Sequence, residues 1–120
     1  MRPLRTSVRC WLALGLFLAS GVAFAESYVV VCYNWGCQQQ VAVSYPDAWL
    51  KKTLAPLYKA KNPESERAAV AEVVRKFYLK AAEQTPIAAD EPANDEDETV
   101  LGRMDCIDHS TTTANILSLL

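Results

Sequence analysis

Beyond residue 25, the apolar positions of the chain fall into two short runs followed by helical stripes. Residues 27 to 33 and residues 38 to 45 are rich in Val, Tyr and Cys, a composition typical of β-strands. The segment Asn34-Trp35-Gly36 separates them, and Gly36 suits the positive φ of a tight turn. The pattern therefore predicts a β-hairpin.

From Pro46 the apolar spacing changes to that of amphipathic helices. Pro46 and Asp47 suit a helix start, and the i, i+4, i+7, i+8 spacing of one buried face follows at Leu50, Leu54, Leu57 and Tyr58. We expect Pro56 to bend or end this helix. A second helix is predicted with Asn62 as its cap and Pro63 in its first position, and its buried stripe comprises Val70, Val73, Val74, Phe77, Tyr78 and Ala81. Both faces are interpreted as core rather than as ligand sites.

Residues 85 to 99 interrupt the helical pattern with prolines and a run of acids, which predicts a solvated loop. Clustered carboxylates suggest calcium binding, but calcium loops need alternating ligands around a glycine, and this run has none before Gly102. A third helix is predicted after Asp105, with an apolar stripe at Ala114, Leu117 and Leu120. The order of elements predicts an α+β domain, a hairpin followed by three helices.

The first 25 residues have the pattern of a secretory signal peptide. An apolar run at residues 11 to 24 is too short to span a bilayer as a helix, and Ala23-Phe24-Ala25 matches the site that signal peptidase cleaves. The positive charges that precede the run are Arg2, Arg5 and Arg9. We expect cleavage after Ala25, which leaves one small domain at residues 26 to 120 in the periplasm or outside the cell.

Removal of this segment changes the charge of the chain. Three of the 12 Lys and Arg residues and none of the 14 acids lie within it, so the remainder carries nine basic and 14 acidic residues, a formal net charge of −5. This charge argues against nucleic acid as a partner. No membrane association is expected after cleavage, no cofactor is indicated, and the oligomeric state stays open.

Three cysteines remain after residue 25, namely Cys32, Cys37 and Cys106. The first two are expected on facing strands beside the hairpin turn, within reach of a disulfide, and an oxidising compartment favours that pairing. Two alternatives stay open: a pair of buried free thiols, and a zinc site in which His109 completes a Cys₃His set with loose spacing. On the disulfide interpretation, Cys106 is the unpaired thiol.

Cys106 lies at the predicted start of the third helix, between Asp105 and Asp108. The helix start favours the thiolate, whereas the two carboxylates oppose it. Asp105 can cap the helix and Asp108 can return the bond in a capping box, so both acids have a structural role available. His109 neighbours Cys106 on a helix, but the sequence identifies no group to orient its ring, so His109 is interpreted as a supporting or surface residue. The competing interpretation of Cys106 is a small buried hydrophobe.

The run Arg103-Met104-Asp105-Cys106-Ile107-Asp108-His109-Ser110 resembles the Asp-Cys-x-Asp nucleophile segment of bacterial transglutaminase-like cysteine peptidases, within the papain-like group. Residues 31 to 37 and 84 to 87 are also similar to uncharacterised exported proteobacterial proteins that carry the same Cys segment. The resemblance implies that Cys106 is the nucleophile of a thiol hydrolase or acyl transferase. Its target would be an amide or ester carbonyl of a protein or peptide.

In the transglutaminase-like fold, a His and an Asp follow the Cys helix on later strands, and the resemblance finds no match to them here. The chain stops on apolar residues at the end of the segment 115 to 120, which we interpret as truncation of an incomplete papain-like or transglutaminase-like domain that is inactive as it stands. The alternative function is a non-catalytic, disulfide-containing periplasmic binding or envelope-associated protein. In that case Cys106 packs in the fold or forms an intermolecular disulfide.

Overall fold

The computed structural model of the protein describes residues 25 to 93, 96 and 98 to 120. The signal-peptide prediction therefore falls outside the described residues except for Ala25, and three positions of the acidic loop, residues 94, 95 and 97, fall outside them as well. Within the described part, none of the helices has the length and apolar character needed to cross a membrane.

The described residues form two strands, three α-helices and one short 3-10 helix, and their order confirms the predicted α+β class. The 3-10 helix corrects the prediction of a continuous loop over residues 85 to 99. In chain order the elements are β1 (Glu26–Tyr33), β2 (Gln39–Pro46), α1 (Asp47–Lys59), α2 (Pro63–Ala82), the 3-10 helix (Pro86–Ala89) and α3 (Cys106–Leu117).

The two strands form an antiparallel sheet whose inner face is the floor of the core. Val29 lies opposite Val43, and Ser27 lies opposite Tyr45. The Tyr45 ring packs 4.5 Å from that of Phe77 between centroids, and its hydroxyl donates to the Phe77 carbonyl at 3.1 Å. This hydrogen bond satisfies the polar end of a fully buried tyrosine, so the aromatic centre of the core joins β2 to α2.

Helix α1 continues through Pro56 and ends at Lys59, so Pro56 does not end it. Leu50 and Thr53 are buried, but Tyr58 is 80% exposed, and its assignment to the buried face was wrong. At about 100° per residue, Tyr58 lies about 80° around the helix from Leu50 and on the opposite side from Thr53. The buried face is centred between Leu50 and Thr53, which leaves Tyr58 in solvent.

Helix α2 begins as predicted. The Asn62 side chain accepts from the Ser65 N–H at 2.8 Å, and Ser65 Oγ accepts from the Asn62 N–H at 3.2 Å, which forms a capping box ahead of Pro63. The predicted stripe is confirmed in its centre, where Phe77 and two neighbours, Val73 and Ala81, are fully buried.

Helix α3 lies along the free edge of β1, and its predicted apolar stripe was wrong. Its buried positions are Asp108, Thr112 and Ile116, whereas Leu117 and Leu120 are 45% and 39% exposed. The Cys32 N–H donates to Thr112 Oγ1 at 2.9 Å, and Asn115 Nδ2 donates to the Val30 carbonyl at 2.9 Å. A strand edge presents unpaired backbone groups, so a helix that covers it needs polar side chains on its inner face.

The outer edge of β2 is closed in a similar way at one residue. Gln84 Oε1 accepts from the Ser44 N–H at 3.0 Å, and Gln84 Nε2 donates to the Ser44 carbonyl at 2.9 Å. The side-chain amide thus makes the two hydrogen bonds that the backbone of a neighbouring strand would make.

Candidate functional site

The turn that joins β1 to β2 is left-handed over four successive residues. The φ angles are 64° at Asn34, 60° at Trp35, 64° at Gly36 and 56° at Cys37. Gly36 adopts this conformation without steric cost and asparagine tolerates it, whereas Trp35 and Cys37 each lose about 1–2 kcal/mol relative to the right-handed region. The turn therefore depends on contacts that hold it in place.

One of these contacts is the Cys32–Cys37 disulfide, which confirms the predicted pairing. The predicted placement of the two cysteines on facing strands was wrong, because Cys32 lies opposite Gln40 and Cys37 belongs to the turn. The left-handed backbone brings the Cα atoms of the two cysteines to 4.6 Å. A disulfide is typical of proteins in oxidising compartments.

The capping box at the start of α3 is confirmed, and it also binds the turn. Asp105 Oδ1 accepts from the Asp108 N–H at 2.9 Å, and Asp108 Oδ2 accepts from the Asp105 N–H at 3.1 Å. The remaining oxygens accept from the turn, Asp105 Oδ2 from the Gly36 N–H at 2.9 Å and Asp108 Oδ1 from the Cys37 N–H at 2.7 Å. All four carboxylate oxygens are thus used to join the helix start to the turn.

The electrostatics of the two acids follow from these bonds. Burial disfavours ionisation of Asp105, but hydrogen bonds from the backbone N–H groups of Asp108 and Gly36 outweigh that cost and lower the pKa of the Asp105 carboxyl. Asp108 is fully buried, so its hydrogen bonds replace solvation entirely. The sequence indicated the capping role of both acids but not their second role toward the turn.

The segment ahead of α3 is fixed by the turn and by the 3-10 helix. The Asn34 N–H donates to the Arg103 carbonyl, and the Gly102 N–H donates to Asn34 Oδ1, both at 2.8 Å. Gly102 has a φ of 92°, and a Cβ atom there would collide with the carbonyl of Pro86. Only glycine therefore lets the chain pass this close to the 3-10 helix on its way to Cys106.

Cys106 is exposed at the first position of α3, so the interpretation of this residue as a small buried hydrophobe was wrong. It is the free cysteine among the described residues. It lines a cavity of about 580 Å³, together with Trp35 of the turn, Asp105, His109 and the acids Asp90 and Glu91.

His109 in this cavity has a carboxylate partner that the sequence did not reveal. Its Nε2 lies 2.9 Å from Asp90 Oδ2, while Asp90 Oδ1 accepts from the Met104 N–H at 2.8 Å. The Tyr78 ring packs 5.9 Å from the imidazole between centroids, and the Tyr78 hydroxyl donates to the His109 carbonyl at 3.1 Å. The imidazole is therefore held between the carboxylate of Asp90 and the ring of Tyr78.

Asp90 was missed because it stands among acids that predict only a solvated loop. Nineteen positions separate it from His109, and no spacing rule connects two residues across the intervening irregular segment. Its side chain is 17% exposed, compared with 72% for its neighbour Glu91. The burial of one acid in an acidic run is a tertiary property, because it depends on where the 3-10 helix ends relative to α3.

The cavity carries negative charge. Its lining includes the carboxylates of Asp90, Glu91 and Asp105, and the guanidinium of Arg103, which is not among the lining residues, lies 3.4 Å from the Glu91 carboxylate. A lining of this sign attracts cationic ligands and disfavours anionic ones.

The Cys₃His zinc alternative does not match this geometry. Cys32 and Cys37 are joined to each other in the disulfide, and the described residues contain no group of three metal-ligating side chains. The structure thus brings His109, Asp105 and Cys106 to one cavity, places Asp108 beneath it, and assigns the other two cysteines to the turn.

Comparison with protein families, curated proteins and solved structures finds no match to this chain.

Proposed function

We propose that the protein is a cysteine-dependent hydrolase or acyl transferase in which Cys106 is the nucleophile. The observation that carries the proposal is the shared cavity: the exposed thiol of Cys106 and the imidazole of His109 both line it, and Asp90 hydrogen-bonds that imidazole. A thiol, a histidine and an orienting carboxylate are the three groups that nucleophilic acyl transfer by cysteine requires.

The scheme assigns a role to each imidazole nitrogen. Nε2, which lies 2.9 Å from Asp90 Oδ2, is assigned as the N–H that donates to that carboxylate, and Nδ1 is assigned as the acceptor of the thiol proton. Cys106 and His109 are three positions apart on α3, where side chains on a helix are neighbours. In this scheme Asp90 acts as a positioning residue, because it contacts the histidine and not the substrate.

The reaction then proceeds in two halves. The Cys106 thiolate adds to an amide or ester carbonyl carbon, the bond to the amine or alcohol breaks, and that leaving group takes the proton from His109. The product is a thioester on Cys106. Water or an amine then adds to the thioester with His109 as base, and the thiol is regenerated as the hydrolysed or transferred acyl product leaves.

The start of α3 acts on Cys106 in two opposite ways. The partial positive charge of the backbone N–H groups at a helix start favours a thiolate at the first helical position, whereas the carboxylate of Asp105, which accepts from the Asp108 N–H, opposes it. The scheme therefore depends on His109 to take the thiol proton. The acidic lining of the cavity favours a cationic acyl substrate, such as a peptide with basic side chains.

Acylation of Cys106 by an activated ester tests the proposal. The full chain is mixed with p-nitrophenyl acetate, and the acetylated fraction of the Cys106 peptide is followed by mass spectrometry in the wild type, in Cys106→Ser and in the urea-denatured wild type. We expect acylation at least tenfold faster in the folded wild type than in the denatured chain, and none at position 106 in Cys106→Ser. Equal rates in the folded and denatured chains would contradict a catalytic role.

The contribution of the imidazole is tested by two further variants. His109→Gln is expected to slow acylation by about 10²-fold, the low end for loss of a general base, and Asp90→Asn by less. Asp47→Asn serves as the matched control, because Asp47 is an exposed acid in the first turn of α1 and does not line the cavity. If all three variants acylate at the wild-type rate, His109 has no catalytic role.

The exposure of Cys106 also favours a second candidate function, a non-catalytic exported protein joined to a partner by an intermolecular disulfide. A disulfide-linked dimer on a non-reducing gel that Cys106→Ser abolishes would support this function. Its absence, together with ester acylation of Cys106, would support the enzyme.

Export itself is part of the proposal. We infer that residues 1 to 25 direct the chain to the periplasm or the cell exterior, since the disulfide and the signal-like composition agree. N-terminal sequencing of the protein recovered from the periplasm should begin at Glu26.

A further inference from the structure

The left-handed turn of residues 34 to 37 forms one side of the cavity around Cys106. Trp35 lines the cavity, and the N–H groups of Gly36 and Cys37 bind the carboxylates of Asp105 and Asp108 on either side of the reactive position. A change in this turn therefore alters both the wall of the cavity and the start of the helix that carries the thiol.

Two of the four residues in the turn adopt a conformation that their side chains disfavour. Trp35 and Cys37 have φ angles of 60° and 56°, in the left-handed region that glycine and asparagine tolerate far better than other residues. Such a conformation persists only when surrounding contacts fix it. One of these contacts is covalent: the disulfide between Cys32 and Cys37 closes the chain into a loop.

We propose that the Cys32–Cys37 disulfide is a redox switch that holds the Cys106 cavity in its competent form when oxidised and releases it when reduced. This inference rests on the proposed function of Cys106. In the oxidised protein the turn stays left-handed, Trp35 stays in the cavity wall, and the capping box stays bound to the turn. In the reduced protein the turn is held only by its hydrogen bonds to α3 and to residues 102 and 103, so it opens more often, and in the open form it relaxes toward negative φ and leaves the cavity.

The reductant that the switch requires is an external dithiol. One of its thiolates attacks the sulfur of Cys37, which is partly exposed, whereas Cys32 is 1% exposed. The sulfur–sulfur bond breaks, and Cys32 leaves as a thiolate that takes up a proton. The second thiol of the reductant then displaces Cys37, so two electrons pass to the protein, both cysteines become thiols, and the dithiol becomes a disulfide.

Release is confined to the turn because the rest of the fold has its own anchors. Val31 and Val43 are fully buried in the hairpin, and Phe77 is fully buried in α2. Further along α3, Thr112 hydrogen-bonds the edge of β1, and the neighbouring turn of the helix buries Ile116. None of these contacts involves residues 34 to 37, so they remain when the turn opens.

The size of the effect follows from the length of the closed loop. Cys32 and Cys37 are five positions apart, and for a loop of this length the chain-entropy relation gives about a 40-fold change in the opening equilibrium. We therefore expect the protection factors of the Gly36 and Cys37 amides to fall by at least about tenfold on reduction.

Amide hydrogen exchange on the full chain tests this expectation. Exchange is measured by NMR in the oxidised wild type, in the wild type reduced with dithiothreitol, and in a Cys32→Ser, Cys37→Ser double variant that needs no reductant. Acetylation of Cys106 by p-nitrophenyl acetate is measured in the wild type and the double variant. Cys106→Ser in the exchange experiment removes any contribution from the third thiol.

The switch predicts faster exchange at Gly36 and Cys37, unchanged exchange at Val31, Val43 and Phe77, and slower acylation of Cys106 in the double variant, by up to about 40-fold. Three results overturn it: unchanged exchange at Gly36 and Cys37, an equal rise at the core amides, or local opening with unchanged acylation. An equal rise at the core amides identifies the disulfide as a support for the whole fold. If Cys106 is acylated in no form of the protein, the proposed function fails separately, and the exchange pattern still decides whether reduction releases the turn.

Discussion

Substitution of Asp108 by asparagine gives the sharpest test of how α3 is joined to the hairpin. Asp108 is fully buried, and each of its two oxygens accepts one backbone N–H, that of Cys37 at 2.7 Å and that of Asp105 at 3.1 Å. Asparagine has nearly the same shape, but one oxygen becomes an amino group. Whichever way the amide turns, one donor then faces another donor.

The magnitude of the destabilisation follows from these two bonds. A hydrogen bond to a charged acceptor contributes about 1.5–3 kcal/mol, and a buried N–H left without an acceptor costs about 1–3 kcal/mol. The two contributions are not independent, because the lost hydrogen bond and the unsatisfied N–H describe the same contact. We therefore expect Asp108→Asn to lower the free energy of unfolding by about 2–4 kcal/mol. That is a large share of the roughly 5–15 kcal/mol typical of a small domain.

Urea denaturation followed by far-UV circular dichroism measures this change. With an m-value near the low end of the usual range, about 1 kcal/mol/M, the midpoint should fall by about 2–4 M while m stays constant. Asp47→Asn is the matched control, because Asp47 is an exposed acid in the first turn of α1 with no capping hydrogen bond, and it should shift the midpoint by less than about 1 M. Equal midpoint shifts in the two variants would refute the double role of Asp108.

Three further predictions concern the contacts around this junction. Thr112→Val leaves the buried Cys32 N–H without its acceptor and should lower the free energy of unfolding by about 1–3 kcal/mol in urea denaturation. Thr112→Ser keeps the acceptor and loses only one buried methyl group, so it should cost about 1 kcal/mol. Gly102→Ala should reduce the yield of folded protein or cost more than about 3 kcal/mol, because its Cβ would collide with a backbone carbonyl, whereas Gly36→Ala, where the space is open, should cost only about 1 kcal/mol of backbone strain. The pKa of Asp105 is lowered from its ordinary value of 3.8, so the stability that this carboxylate contributes is complete above pH 3.8 and is lost as the pH falls through the folded pKa. Asp105→Asn should therefore reduce the difference between the urea midpoints measured at pH 5 and pH 2.5. An unchanged difference would exclude this contribution.

Elements whose signals are local were predicted from the sequence. The hairpin follows from two Val-rich runs around a glycine, and the start of α2 follows from Asn62 and Pro63, whose capping role involves residues within one turn. The capping box of α3 is equally local, since Asp105 and Asp108 are three positions apart. Propensity and capping act over a few residues, so a pattern in the chain is enough to reveal them.

The buried face of α3 could not be predicted, because it is set by a strand 80 positions away. An apolar stripe predicts a helix that packs on other apolar side chains, but Thr112 and Asn115 face the backbone groups of a strand edge. Hydroxyl and amide side chains are then favoured on the inner face, which inverts the usual pattern. The exposure of Leu117 has the same origin.

The candidate site was predicted in part for the same physical reason. Cys106 was identified from its position at a predicted helix start and from the resemblance, and His109 was recognised only as its neighbour on that helix. Asp90 is brought to His109 by the path of the chain around the 3-10 helix. In the turn, Gly36 indicated one positive φ angle, but no local pattern indicated that its neighbours share it. Those neighbours take up the left-handed form because the disulfide and the carboxylates of α3 hold them there.

The amide of Gln84 at the outer edge of β2 bears on how the protein behaves at high concentration. By occupying both backbone groups of Ser44, this side chain denies an incoming strand the hydrogen bonds it would need at that position. A two-stranded sheet without a side chain that occupies this edge can extend by pairing with the same edge of another molecule, and repeated pairing leads to fibrils. One glutamine at the end of α2 therefore sets a limit on self-association that neither the core nor the disulfide provides.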